Sequence, residues 1–248
     1  LYDIISANTF SVCAKTDTDL SSTGYTYCET VTPATAVYVS ALDGDDANCG
    51  DSPDNPVRTI QKGLDRLPTS TSTVYLYLEQ GNTFTGTSNK NLTITQTNLV
   101  ISPYTGTHGD TDPIIDMEGS GRFCTISTTA TVSLNNLYIT NGLINNHGGA
   151  IWNNGTLNTF SCTFSGNSVT GSSSYAGALY LFIGSKTSIT SCSFNNNRSI
   201  NYRAGALHCS GSSSVTITNC SFNKNSSSAA GGVMTGYGTI NADRKSVV

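Results

Sequence analysis

One phrase is spelled twice in this chain. "GALYLFIGSKTSITSCSFNNN" (Gly177–Asn197) returns 28 residues later as "GALHCSGSSSVTITNCSFNKN" (Gly205–Asn225), with Cys220 on Cys192 and Phe222 on Phe194. The glycine-led element recurs as "GGAIWNN" (Gly148–Asn154) and "GGVMTG" (Gly231–Gly236), the second element as "SCTFSGN" (Ser161–Asn167) and, degenerately, as "LNNLYITNG" (Leu134–Gly142). A period of about 25–30 residues carrying two short strands and a variable Ser/Gly/Asn loop is the signature of a repeat architecture. No stretch between the strands is long enough for a helix. Parallel strands of successive copies must therefore stack directly, and the expected fold class is all-β, a right-handed parallel β-helix.

The residue choices fit coils of that kind. Cys162, Cys192 and Cys220 form one column and Phe164, Phe194 and Phe222 a second, two residues on, so period-two alternation points both inward. The cysteines read as small buried hydrophobes, since the Cys-x-x-Cys spacing of a metal site is absent. Asn167, Asn197 and Asn225 form a third column, expected to take the left-handed conformation of a sharp corner and to bond amide to amide along the stack. If Ile151, Leu179 and Leu207 face the core, then Trp152, Tyr180 and His208 face outward, a row of rings about 4.8 Å apart. Such a stripe could hold sugar rings or a partner chain; the alternative is surface stacking that stiffens the ladder. Outward pairs such as Thr93/Thr95 and Thr216/Thr218 do not recur on every coil, which argues against an ice-binding face.

The front of the chain is organised differently. A strand "AVYVS" (Ala36–Ser40) leads into the acidic loop "ALDGDDANCGDSPDNP", after which Thr59 caps a short helix with Ile60, Leu64 and Leu67 on one face and Pro68 as its stop. A helix laid across the first coil would cover its open core and strand edge. Three segments result: a leader over 1–35, the capped β-helix over 36–242 and a tail over 243–248. In the leader, Cys13 and Cys28 are disulfide candidates able to close one loop, and Cys49 in the acidic loop has no partner assignable from sequence. The tail "DRKSVV" resembles the in-frame translation of a sequencing adapter, so the natural chain is expected to be longer.

Eight cysteines favour an oxidising compartment. The sequons at Asn91, Asn154, Asn197, Asn219 and Asn225 are compatible with a secreted or cell-surface glycoprotein. No run of about 18 apolar residues is present to span a membrane, and no Gly-rich phosphate loop opens a helix, so neither nucleotide nor nucleic acid is an expected partner. Charge is divided. Residues 1–118 hold 15 of the 16 acids and five of the 12 bases, a net −10. Residues 119–242 hold no Asp or Glu and five bases (Arg122, Lys186, Arg198, Arg203, Lys224). Opposite ends of this kind would attract head to tail, and a heterologous contact that does not close builds a filament.

A resemblance can be attached to these residues. The first strand, the acidic loop and "PVRTIQKGLDRL" (Pro56–Leu67) resemble the start of pectate-lyase-like right-handed β-helix proteins. Gly149-Ala-Ile, Gly177-Ala-Leu, Gly205-Ala-Leu and Gly232-Val-Met, alternating with Phe164–Asn167, Phe194–Asn197 and Phe222–Asn225, resemble the repeats of polymorphic outer membrane proteins, a surface adhesin family. The membrane barrel of such adhesins lies outside this sequence. The first resemblance implies that any polysaccharide lyase or hydrolase chemistry would use carboxylates on the outer face of the coils, often with calcium and a basic residue. Glycoside hydrolysis needs two carboxyl groups, and the acid-free stretch 119–242 supplies none.

Acid chemistry is thus confined to the first 118 residues. Asp43, Asp45, Asp46, Asp51 and Asp54 lie in the entry loop, where oxygen ligands could hold calcium, although the spacing departs from the EF-hand pattern. Otherwise no cofactor is expected. Asp110, Asp112, Asp116 and Glu118 flank "PIIDM" and read as a surface turn, while His108, His147 and His208 show no triad spacing. The expected function is a non-enzymatic extracellular structural or adhesive protein. Its partners would be further copies head to tail, other surface proteins or glycans. The alternative is a carbohydrate-active enzyme or glycan-binding module.

Overall fold

The computed structural model describes residues 35–68 and 71–247, with side chains through 242. The leader, with Cys13 and Cys28, lies outside the described residues. The rest is a parallel β-solenoid with one short α-helix. One six-stranded sheet stacks Leu92–Ile94, Cys124–Ile126, Ile151–Asn153, Leu179–Leu181, Leu207–Cys209 and Met234–Gly236, all parallel; we call it the ladder face. A thirteen-stranded sheet and a four-stranded one, Leu143–Ile144, Ser168–Val169, Arg198–Ser199 and Ser226–Ser227, form the rest of the wall, and the long strand Ser214–Asn223 turns a corner within the larger sheet.

Alternation explains the wall. Inward residues such as Val132, Leu134, Leu157, Ile189, Val215 and Ile217 are fully or almost fully buried, whereas their neighbours along the strands are exposed or half-buried. Phe164, Phe194 and Phe222 stack face to face with centroids 4.9 Å apart at each step. Cys162, Cys192 and Cys220 are buried free thiols. The Cys162 N–H donates to Cys192 Sγ at 3.4 Å, and the Cys192 N–H to Cys220 Sγ at 3.3 Å. Cys124 and Cys209 are buried and free as well, and Cys49 is disulfide-bonded.

The asparagine column forms a buried amide ladder. Asn197 Oδ1 accepts from Asn167 N and Asn167 Nδ2, both at 3.1 Å, while Asn197 Nδ2 donates to Phe164 O and Asn225 Oδ1 at 2.9 Å. The corner conformation is corrected. The left-handed residue stands one position earlier, at Asn141, Gly166, Asn196 and Lys224, and a second set of left-handed corners precedes the cysteine column at Asn136, Ser161, Ser191 and Asn219. The ladder asparagines serve as hydrogen-bonding plugs behind the bends rather than as the bends themselves.

Close backbone approach explains the glycine-led phrase. A Cβ on Gly149 would lie 2.1 Å from Gly177 O, one on Gly177 2.2 Å from Gly205 O, and one on Gly205 2.0 Å from Gly232 O. Only glycine fits between coils at that column. At the front, the helix Ile60–Arg66 is capped by Thr59, whose hydroxyl accepts from Lys62 N, and buries Ile60 and Leu64 across the first coils, with Leu67 just beyond. At the back, the strand Thr239–Val247 pairs in register with Ser214–Phe222, so the backbone ladder runs on past residue 242.

Candidate functional site

Two places gather chemistry. The first lies at one corner of the first three coils, where the segment after Val39, the turn after Glu79 and the loop after Tyr104 are stacked. Asp43, Glu79 and His108 place their ligand atoms within 4.8 Å of one another, the one such group among the described residues. His108 Nε2 lies 2.8 Å from Asp43 Oδ2. Glu79, only 3% exposed, accepts from Thr107 N at 2.9 Å and from Asn82 Nδ2 at 3.3 Å. Gly106 seals it, because a Cβ there would meet Glu79 Oε1 at 1.9 Å. One imidazole and two carboxylates could serve a borderline cation better than calcium, which takes six to eight oxygens. As it stands the cluster pins the 105–108 loop to the entry loop.

The calcium expectation for the entry loop is corrected. Asp46 accepts from Arg58 N, Thr59 N and Thr59 Oγ1, Asp45 from Ala47 N, and Asp51 from Asn55 Nδ2. Asp45 and Asp51 close local turns and Asp46 ties the entry loop to the start of the helix, so these carboxylates do not converge with Asp43. The later acids behave as turn residues too: Asp116 accepts from Glu118 N and Asn141 Nδ2, and Glu118 accepts from Gly86 N and Lys90 Nζ, which hold its pKa down. Among the sequons, Asn91 and Asn219 are exposed, but Asn197 is fully buried and its amide is engaged in the ladder, so it is corrected as a glycosylation candidate. Asn225 Nδ2 likewise donates to Phe194 O, and Asn154 Nδ2 to Ile126 O.

The second place is the ladder face. Strand register sets Thr93, Thr125, Trp152, Tyr180, His208 and Thr235 in one row. The expected exposed stripe is corrected here: Tyr180 and His208 are 6% and 3% exposed, and Trp152 is half-buried. The loops that enter each strand fold over the row, and each lays a group on the ring of the next coil. The Arg122 guanidinium sits 5.1 Å above Trp152, His147 stacks on Tyr180 at 4.4 Å, and Tyr175 stacks on His208 at 4.0 Å. Tyr202 meets Tyr175 edge-on at 4.8 Å, and the Arg203 guanidinium lies 5.2 Å from the Tyr202 ring. The result is two tiers, with His147, Tyr175, Tyr202 and Arg203 half-buried on the outside.

The electrostatics of this face follow from its composition. Burial first, then electrostatic coupling to His147 and Arg203, pushes His208 down to about 4; burial and Arg122 lower His147. Both imidazoles are therefore neutral at pH 7. His147 Nδ1 accepts from Tyr175 N at 3.0 Å, which leaves its proton on Nε2. The Tyr202 hydrogen bond and burial raise the Tyr175 phenol to about 12. Arg122 is only 6% exposed, and its Nη1 has no acceptor; Arg203 Nε, also shielded from solvent, lacks one too. The salt bridges among the described residues, Lys90–Glu118 and Asp43–His108, lie elsewhere.

Sequence reasoning found the lower tier and missed the upper one, because His147, Tyr175 and Arg203 sit in loops of varying length outside the repeated phrases. No protein-family model matches the sequence, and no curated protein does. Among solved structures, the chain is similar to one described as "Rhamnogalacturonan lyase", at 12% identity and a TM-score of 0.45, over 84% of this chain and 61% of that one.

Proposed function

We propose that the chain is a secreted or cell-surface, non-enzymatic attachment protein that holds a glycan on the ladder face of its solenoid. The observation carrying this reading is the two-tier array on that face, in which Tyr175 stands half-buried over His208 with Tyr202 edge-on to it, alongside Trp152 and Tyr180. Aromatic faces with a few fixed polar groups beside them suit sugar rings, which present an apolar face and a polar rim. Parallel strands repeat the array at about 4.8 Å per coil, so a chain-like ligand lying along the axis meets similar contacts more than once. The absence of catalysis in the proposal is supported by the acid-free coils and by the sealing of Glu79 beneath Gly106.

The test is affinity electrophoresis through gels containing a panel of neutral and charged polysaccharides, with the Tyr175→Ala and Tyr202→Ala variants alongside. Stacking contributions of roughly 1 kcal/mol per ring predict a severalfold loss of retardation in each variant. Absence of retardation by every polysaccharide would refute the proposal, and new reducing or unsaturated ends would replace it with the enzymatic reading. The charge division supports a second reading, salt-sensitive head-to-tail contact between copies. The helix covers part of the front end at which copies would meet, and a chain that remains monomeric at low ionic strength would exclude this reading.

A further inference from the structure

We infer that the ligand of the ladder face is an anionic saccharide whose carboxylate or sulfate groups are received by Arg122 and Arg203. This inference rests on the glycan-binding reading and narrows it. Arg122 enters the strand Cys124–Ile126 with its backbone fixed, since its N–H donates to Asn91 Oδ1 at 3.1 Å. Its guanidinium is held over the Trp152 ring at 5.1 Å and is nine-tenths buried, yet Nη1 has no acceptor. A buried guanidinium nitrogen without an acceptor is unfavourable in a folded protein, and an anion that pairs with it removes the penalty. Arg203, half-buried, lies against the ring of its neighbour Tyr202, and its Nε also lacks an acceptor.

Among the described residues no carboxylate pairs with either arginine. Residues 119–242 contain no Asp or Glu, and neither described salt bridge involves either arginine. The imidazole of His147, between the two arginines along the axis, keeps its proton on Nε2 and adds a donor without adding charge. Arg122 and Arg203 precede strands three steps apart in the sheet, a separation of about 14 Å along the axis at the inter-strand spacing. A ligand touching both must therefore be an oligomer with repeated anionic groups. Planar guanidinium forks receive carboxylates and sulfates in two-point contacts, which a lysine in the same place would not reproduce.

The experiment is titration calorimetry of the full chain with oligogalacturonides, with the same oligomers as methyl esters, and with sulfated galactan oligomers. The free acid or the sulfated oligomer is expected to bind at least about tenfold more tightly than the ester, since hydrogen bonds to charged groups are at stake. Arg122→Gln should erase that preference, and Arg122→Lys should restore only part of it. The melting temperature of ligand-free Arg122→Gln should not fall, because an uncompensated buried charge has been removed. If Arg122→Gln does not fold, Arg203→Gln, at a half-buried position, carries the same test. Equal binding of acid and ester overturns the inference and leaves the glycan reading standing; no binding of any of these oligomers also overturns the inference, and the glycan reading then stands or falls on the polysaccharide panel. A variant that melts earlier but keeps the preference assigns Arg122 to the fold alone and also overturns the inference.

Discussion

Replacing Asn197 with alanine tests how the corners are held. The Asn197 side chain is fully buried and makes four hydrogen bonds, two as acceptor from Asn167 and two as donor to Phe164 O and Asn225 Oδ1. Alanine leaves at least the Asn167 backbone N–H and one Asn167 Nδ2–H without partners. At roughly 1–3 kcal/mol for each unsatisfied buried group, Asn197→Ala should destabilise by about 2–6 kcal/mol. The control is Asn158→Ala, where one 3.5 Å contact to Ser133 is lost and a change within about 0.5 kcal/mol is expected. Urea unfolding gives the difference through the midpoint, and hydrogen exchange at the Asn167 amide shows where it arises, since a solenoid loses stability coil by coil. Asn197→Asp sharpens the test. A carboxylate there would face two oxygens, so burial and those acceptors would raise its pKa above the usual value of about 3.9. The folded state would then bind the proton more tightly, and the variant should lose stability as the pH rises above about 4 and regain it on acidification. A cost below about 1 kcal/mol with unchanged protection at Asn167 would refute the idea that the amides hold the corners.

Two further outcomes follow from the core and the ladder face. Phe194 is sandwiched between Phe164 and Phe222, so Phe194→Ala should destabilise by about 3–5 kcal/mol, whereas Phe160→Ala, half exposed, should change urea stability by about 0.5 kcal/mol or less. His208 is held neutral in the folded state, with its pKa pushed from 6.5 down to about 4 by burial and by His147 and Arg203. The unfolded chain therefore binds the extra proton first, and the melting temperature should fall as the pH drops from 6.5 towards 4. His208→Gln should flatten that slope, and an unchanged slope would show that other groups set it.

The fold was legible because the coils repeat the same physical problem. Cys162, Cys192 and Cys220 recur where a small buried side chain fits, Phe164, Phe194 and Phe222 where a ring fits, and Gly149, Gly177 and Gly205 where two backbones nearly touch. Thr59 and the Ile60/Leu64/Leu67 stripe announced the cap for equally local reasons. The site was harder to read because its parts do not share a repeat. Period-two alternation assigned Tyr180 and His208 to the outside of the sheet, but it carries no information about the loops that then cover them. Glu79 and His108 come from successive coils that lack the later phrases, so sequence offered no register by which to align them. The available signal was the loop composition itself, with an aromatic, imidazole or guanidinium group in each segment entering the ladder strands from Arg122 to Arg203.

The unequal coils have a consequence for how such a protein can change. Ladder asparagines are separated by 30 residues in one step and by 28 in the next, yet the strands beside them stay in register. The difference is absorbed in the loops, which also carry the outer tier of rings and cations. Duplication of a coil would therefore transmit the scaffold intact, while insertion or deletion in its loop would alter the recognition surface alone. Selection on a ligand and selection on folding act on different letters of the same repeat, and a lineage of such chains could exchange ligands without relearning how to fold.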